Sequence, residues 1–225
     1  MRLTGLKPRE RGLEPMKKLL VALTVLALTT VAQAGVPGSD AMALYLSSQA
    51  ATPGIDPSFT TTTSAPFEQV SLSLVIVDPS LDGVSGWEGV VEFTGSLTAP
   101  SWALTAGLDV DSANDTNNHQ RFQVGIGLAP LALTPNAAGN VVVATFSAFV
   151  LAPTDQVSFF IKGVPGSTTF NPDTPGYASP TNAGIFAVSV NPTGDPELPV
   201  FAINHDPGIV ANEDMTFSGV KALFR

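Results

Sequence analysis

The chain has 225 residues, a net charge of −9, no cysteine, 20 glycines and 19 prolines. The lack of cysteine excludes disulfides, thiolate metal sites, a cysteine nucleophile and a lipidated cysteine. Charged residues make up only 13% of the chain, too few for the polar faces of amphipathic surface helices, so we expect an all-β protein.

The first predicted element is a secretory signal peptide that ends at Ala34. Lys17 and Lys18 precede a 13-residue apolar run, and small residues follow it in the motif Ala-Gln-Ala at 32–34. The run is shorter than the roughly 20 residues of a membrane span, although a membrane anchor is the alternative. Residues 1–34 are therefore assigned to leader and signal peptide, with Met16 the favoured translation start, and the mature chain spans 35–225.

The mature chain is more acidic than the whole. Residues 1–34 hold six of the ten basic and two of the nineteen acidic residues, which leaves four basic against 17 acidic residues and a net charge of −13. The four basic residues form no cluster that could neutralise phosphates, which argues against nucleic acid and an anionic membrane surface as partners. We expect a bacterial protein located in the periplasm, on the cell surface or outside the cell, with no membrane span in its mature part.

Alternating patterns predict the strands of the first half. EQVSLSLVIV at 68–77 alternates as a half-buried strand does. In the next strand, from residue 86 to 93, Trp87 lies on the core side and Glu88 and Glu92 lie opposite it. These two strands are expected to be neighbours. A short strand at Trp102, a polar loop at 107–120 and a strand at 122–128 follow.

The second half continues in the same way. Residues 140–151 are apolar on both faces, which predicts a central strand covered on both sides, paired in a hairpin with 156–162. A Pro- and Gly-rich surface loop is expected at 163–183. Further strands are expected at 41–47, 185–190, 198–203 and 215–224. The result is a single antiparallel β-sandwich of eight to ten strands over 35–225.

Two segments carry a resemblance to known domains: SLSLVIVDPSLDGVSGWEGVVEF, and GNVVVATFSAFVLA followed by QVSFFI. Together they cover about 67–162 and resemble the core strands of cohesin-like and carbohydrate-binding β-sandwich domains. The resemblance implies a jelly-roll or cohesin-like sandwich that holds a protein, as cohesins hold dockerins, or a polysaccharide. The sequence contains no matching binding motif, so no site residue is assigned from the resemblance.

An Asp- and Asn-rich loop is the candidate metal site. Asp109, Asp111, Asn114 and Asp115 offer several oxygen ligands in one loop, which suits calcium. The glycine and the distal glutamate of an EF-hand loop are missing. A solvated turn is the alternative.

Three further groups are candidates for other chemistry. Trp102 is the candidate sugar-stacking ring. His119 and His205 are the two histidines, and a small hydrolase would need one of them within reach of a carboxylate and a hydroxyl. Glu88 and Glu92 share a strand face and could serve as a glycosidase pair, although two solvent-facing glutamates are the commoner arrangement.

The sequence favours an exported, non-enzymatic structural or interaction protein of the bacterial envelope or exterior, without a cofactor. A carbohydrate-binding module is the first alternative and a small secreted hydrolase the second. The partner would be a protein or a polysaccharide.

Overall fold

The computed structural model describes residues 40–54, 58–80, 82–111, 115–116, 118–127, 131–167, 174–181, 185–190 and 192–206. All these residues belong to one compact unit, Ala34–Arg225. The signal peptide, Asn114 and the expected strand at 215–224 lie outside the described residues. Every regular element described is a β-strand: β1 Ala41–Leu46, β2 Thr60–Thr61, β3 Glu68–Val77, β4 Gly86–Thr94, β5 Thr98–Leu104, β6 Leu108–Asp109, β7 His119–Gly125, β8 Val141–Val150, β9 Val157–Lys162, β10 Gly176–Ala178, β11 Ile185–Ala187, β12 Ser189–Val190 and β13 Phe201–Ile203.

Sheet A has the strand order β12-β1-β3-β8-β5. Its two long central strands, β3 and β8, pair antiparallel from Glu68↔Val150 to Ile76↔Val141. The register shifts where Leu74 pairs with Ala144 and Val75 with Val142, which leaves Val143 as the extra residue of a bulge. The bulge reverses which alternate residues of β8 point inward.

Sheet B is built around β4, whose two edges are both occupied. β7 pairs along one edge from Gly86 to Glu92. The other edge is shared, with β10 on Gly86–Glu88 and β9 on Val90–Thr94. Gly89 lies where the two partners meet, and a Cβ there would lie 3.2 Å from the Met42 sulfur and 3.3 Å from the Pro175 Cβ. Beyond these strands, β11 pairs with β10, β13 with β9, β2 with β13 and β6 with β7.

A chain of aromatic rings joins the inner faces of the two sheets. Phe146 of sheet A contacts Phe159 of sheet B edge to face, with ring centroids 5.4 Å apart. Trp102 of β5 contacts both Phe146, at 4.9 Å, and Phe122 of β7, at 5.4 Å. Trp87 continues the chain at 4.9 Å from Phe122. Such edge-to-face and tilted pairs add about 0.5–1.5 kcal/mol each beyond the burial of their area.

A smaller cluster covers one end of the outer surface of sheet A. The segment after β1 folds back over this end, so that Phe59 lies 6.0 Å from Tyr45 and Ala50 is buried. Two amides, Asn136 Nδ2 and Asn140 Nδ2, donate to the Ala50 carbonyl oxygen at 3.1 Å each. This end of the sheet is therefore closed to partners, whereas Ser71 on the same surface is exposed.

Asp40 links the start of β1 to both sheets. Its Oδ1 accepts hydrogen bonds from Tyr177 Oη of β10 at 2.5 Å and from Ser80 N at 2.8 Å, and its carbonyl oxygen accepts from Ser189 N at 3.1 Å. Burial by itself would raise the pKa of Asp40, but the hydrogen bonds from Tyr177 and Ser80 outweigh it, so the pKa is lowered.

The structure confirms the predicted all-β sandwich. It differs in having two parallel pairs, β1 with β12 and β2 with β13. Two predicted neighbour relations are wrong, because β3 and β8 lie in sheet A whereas β4 and β9 lie in sheet B. An alternating strand buries the same face whether the next strand of the chain is its partner in one sheet or lies in the opposite sheet. Alternation therefore cannot distinguish these two arrangements.

The expected cover on both faces of residues 140–151 holds only at the start of β8, where Val142 packs against the smaller cluster on the outer surface of sheet A, and is wrong for the rest of the strand. Val141 and Val143 point into the core before the bulge, and Phe146, Ala148 and Val150 do so after it, while Phe149 is 38% exposed. The bulge shifts the inward-pointing positions of β8 from odd-numbered to even-numbered residues. Apolar residues therefore occur at both odd and even positions, even though one face of the strand is partly open to solvent.

Two phenylalanines three residues apart on β8 test this packing. We expect Phe146→Ala to lower the free energy of unfolding by about 3–5 kcal/mol, because it removes a buried ring that touches rings of both sheets. The matched control, Phe149→Ala on the solvent side of the same strand, should cost clearly less. Urea unfolding of the two variants measures both values, and equal losses would contradict the assigned faces.

Candidate functional site

Most of the candidate functional side chains lie on the outer surface of sheet B. This surface is formed by β4, β7 and β9 and is called here the outer B face. In the described residues, the two basic side chains Arg121 and Lys162 and the two histidines all lie on or beside it. Neighbouring strands place His119 opposite Glu92, and Glu92 opposite Phe160.

Glu92 is the centre of this face. Its Oε1 lies 2.8 Å from His119 Nδ1 and its Oε2 lies 3.2 Å from Lys162 Nζ. All three side chains are about one-third exposed, at 32%, 35% and 31%. One carboxylate thus bridges two nitrogen groups from the strands on either side of it.

A shallow concavity of about 500 Å³ opens over this bridge. Phe160 forms part of its wall, with Lys162 Nζ 6.0 Å from the ring centroid. Glu197, whose side chain is 78% exposed, lies at the rim, 3.7 Å from the same ammonium group. The site therefore offers donors, acceptors and a ring within one surface depression. Phe93, Thr94 and Asn118 complete its lining.

Glu88 does not share the exposure of Glu92. The two carboxyls are on one strand face as predicted, yet Glu88 is only 2% exposed, so the expectation of two solvent-facing glutamates is wrong. Gln123 Nε2 donates to Glu88 Oε2 at 3.3 Å, and Glu88 Oε1 has no hydrogen-bond partner among the described residues. Val90, the next outward-facing residue of β4, is also buried, whereas Glu92 is one-third exposed, so the outer B face opens to solvent only beyond Val90.

The aspartates of the predicted metal loop do come together, around Arg121. Asp109 Oδ1 accepts from the backbone N–H of Asp111, at 3.0 Å, and of Gln123, at 3.1 Å. Asp111 forms an ion pair with the Arg121 guanidinium. Asp115 accepts from Arg121 N at 2.8 Å and from Gln120 Nε2.

Asp109, Asp111 and Asp115 thus bind protein donors. Within the described ranges, no three His, Cys, Asp or Glu side chains are arranged to hold a metal ion. Burial raises the pKa of Asp115, and the charges of Asp109 and Asp111 add to the rise, against hydrogen bonds from Arg121 and Gln120.

Trp102, the predicted sugar-stacking ring, is half-buried on edge strand β5. Its ring packs on Phe122 and Phe146, which are 2% and 1% exposed. The ring therefore serves the contact between the sheets. The ring nearest the polar cluster is instead Phe160.

The two histidines have different partners. His119 pairs with the Glu92 carboxylate. His205, which follows β13, lies with Nε2 2.9 Å from the Ser158 hydroxyl and Nδ1 3.0 Å from the Ile203 carbonyl oxygen. Both histidines are candidates from the sequence, but their neighbours Ser158, Phe160 and Lys162 are not. The signal that could have found these three residues is the alternation of Val157–Lys162, which places them on the face opposite the core.

No known family profile matches the chain, and no curated protein matches it. Among solved structures, the sixth cohesin of Acetivibrio cellulolyticus scaffoldin B, in complex with a mutant dockerin, is 12% identical, with a TM-score of 0.41 over 65% of this chain and 95% of that one. A type II cohesin domain from the cellulosome of the same organism is also 12% identical, with a TM-score of 0.40 over 74% and 96%. These likenesses concern the fold alone.

No helix in the described part of the chain has the length and apolarity that a membrane crossing requires.

Replacing Asp40 or Asp115 by asparagine is expected to change the melting temperature in opposite directions. A lowered pKa means that ionised Asp40 stabilises the fold at neutral pH and that this stability is lost as the pH falls through its pKa. A raised pKa means that ionised Asp115 weakens the fold at neutral pH and that protonation relieves it. We therefore expect Asp40→Asn to lower the melting temperature at pH 7 and Asp115→Asn to raise it.

Both differences should shrink as the pH falls through the range where the carboxyls protonate. Thermal unfolding of the wild type and both variants from pH 7 to pH 3 measures this. The assigned pKa directions would be contradicted if the melting temperatures of the two variants changed in the same direction. They would also be contradicted if the differences from the wild type did not vary with pH.

Proposed function

We propose that this chain is an exported interaction module of the bacterial envelope or exterior that binds a macromolecular partner through the outer B face. The concavity over the Glu92 bridge carries this proposal. In the part of the chain that the structure describes, a surface depression, a ring and groups of both charges coincide here. Binding sites typically combine such a depression with a few polar groups that orient the ligand.

The opposite surface of the sandwich is a poorer candidate. One end of sheet A is covered by the segment that follows β1, and the exposed remainder of β3 and β8 presents hydroxyl groups, the Gln69 amide and the Phe149 ring but no charged side chain. Charges of both signs fix the orientation of a partner and steer its approach, which uncharged hydroxyls do less well. The outer B face is therefore the surface on which we place recognition.

A protein is the partner that we favour. A polysaccharide is the second candidate, and Phe160 supports it because this half-buried ring lines the concavity beside the ion pair of Lys162 and Glu92. A stacking ring flanked by donors and acceptors suits a sugar, which has an apolar face and hydroxyl edges. We also propose that residues 1–34 are removed and that 35–225 act as one domain without catalysis as their main role.

The export proposal is tested with a reporter enzyme that is active only outside the cytoplasm, fused after the full chain. We expect activity and a mature N-terminus at Gly35. Leu26→Arg, which places a charge in the apolar run, should abolish both. Ala34→Phe should leave export intact and block cleavage, which N-terminal sequencing would reveal. Reporter activity unaffected by Leu26→Arg would contradict an apolar signal.

The binding surface is tested by crosslinking, for which the cysteine-free chain is convenient because one introduced thiol is unique. A photoreactive maleimide is placed on Thr94→Cys, at the concavity, or on Ser71→Cys, exposed on sheet A. In producing cells we expect discrete adducts from Thr94→Cys and none from Ser71→Cys. Adducts from both positions alike, or from neither, would contradict a partner on the outer B face.

A further inference from the structure

The contact between Ser158 and His205 has a defined proton arrangement. A carbonyl oxygen only accepts hydrogen bonds, so His205 Nδ1, 3.0 Å from the Ile203 oxygen, must carry the ring proton. In the neutral ring Nε2 then has a lone pair. It faces the Ser158 Oγ at 2.9 Å, so the hydroxyl donates to the imidazole. This is the arrangement of a serine nucleophile and its general base.

Asn204, the residue before His205, fixes the turn that carries the imidazole. Asn204 has φ +61°, a left-handed conformation that is uncommon for a residue other than glycine. Its side chain accepts from Thr63 N at 2.7 Å and donates to the Asp155 carbonyl oxygen at 3.0 Å. These bonds stabilise the turn that directs the imidazole toward β9. Backbone strain of this kind often marks functional positions.

The pair is accessible from solvent. Ser158 and His205 are both half-buried, and Ser158 lies on the solvent side of β9, opposite Thr94. A concavity of about 490 Å³ opens beside the imidazole and is lined by Thr60, Thr61, Thr62, Asn204, His205 and Asp206. Ser158 is not part of that lining, but it faces the imidazole and is itself partly exposed, so a small acyl group can approach the hydroxyl from solvent.

We infer that Ser158 is a nucleophile activated by His205, and that the substrates are small esters with good leaving groups. Ser158 Oγ attacks the ester carbonyl carbon while its proton moves to His205 Nε2. The bond to the leaving oxygen breaks, and that oxygen takes the proton. Water then gives a proton to Nε2 and attacks the acyl-serine, and the carboxylic acid leaves as the proton returns to Ser158.

The Ile203 carbonyl has the role that an aspartate has in a Ser-His-Asp triad, since it fixes the tautomer and the orientation of the ring. It carries no full charge, so it stabilises the imidazolium less than a carboxylate does. We therefore expect both acylation and turnover to be slower than in a Ser-His-Asp enzyme, so that only esters with good leaving groups acylate Ser158 at a measurable rate. This activity goes beyond the proposed partner binding and does not depend on it.

The first test is labelling of the purified full chain with a fluorophosphonate, which loses fluoride when a serine oxygen attacks it. We expect one adduct, located at Ser158 by peptide mass mapping. Ser158→Ala should abolish the adduct, and His205→Gln should slow it about 100-fold, within the range of general-base contributions. Ser71→Ala is the control and should not change it. No adduct at Ser158, or an adduct formed equally fast in His205→Gln, would overturn the inference.

The second test does not rely on the histidine variant folding. Because the chain has no other cysteine, Ser158→Cys and Ser71→Cys each present a single thiol. An adjacent imidazole favours the thiolate, so Ser158→Cys should react with iodoacetamide at pH 7 about tenfold faster than Ser71→Cys. An equal or slower rate would show that His205 does not activate position 158, and melting temperatures of both variants would confirm that they are folded.

Discussion

The contact between the rings of the two sheets is the interaction on which the rest of the structure depends. Phe146 meets Phe159 across the sandwich, and Trp102 bridges Phe146 and Phe122. With no cysteine in the chain, burial of these rings and of the aliphatic side chains around them must stabilise the fold without a covalent link between the sheets. The same contact explains why Trp102, exposed in part on an edge strand, belongs to the core.

This packing decides where chemistry is possible. Since the inner faces of β4, β7 and β9 are committed to the core, the alternate residues of these strands must point outward. His119, Glu92 and Lys162 are therefore neighbours because their strands are neighbours, and Ser158 meets His205 because β13 pairs with β9. The first concavity lies on this face, and Thr94, which lines it, pairs with Ser158. The second concavity lies beside His205 and is lined by residues of β2 and of the segments that follow β2 and β13.

Sequence reasoning succeeded where local pattern was sufficient. It placed β3 at the residues observed, put Trp87 in the core and recognised an all-β sandwich. It failed on partners, since β4 and β9 were expected beside the strands that precede them in the chain. It also failed on Glu88, because alternation tells which face a side chain lies on and not whether another segment covers that face. The bulge at Val143 shows the same limit within one strand.

The sequence by itself determined the acidic, cysteine-free composition, the signal-peptide pattern and the period-two strands with their apolar faces. Only the tertiary structure decided which strands pair, and hence that Glu92 bridges His119 and Lys162 and that Ser158 lies beside His205. The physical reason is that the hydrogen bonds of a sheet join residues distant in the chain, such as Ser158 and Ala202. The apolar face of an alternating strand can be buried equally well with several different partner strands. The packing of all the strands together selects one of these pairings.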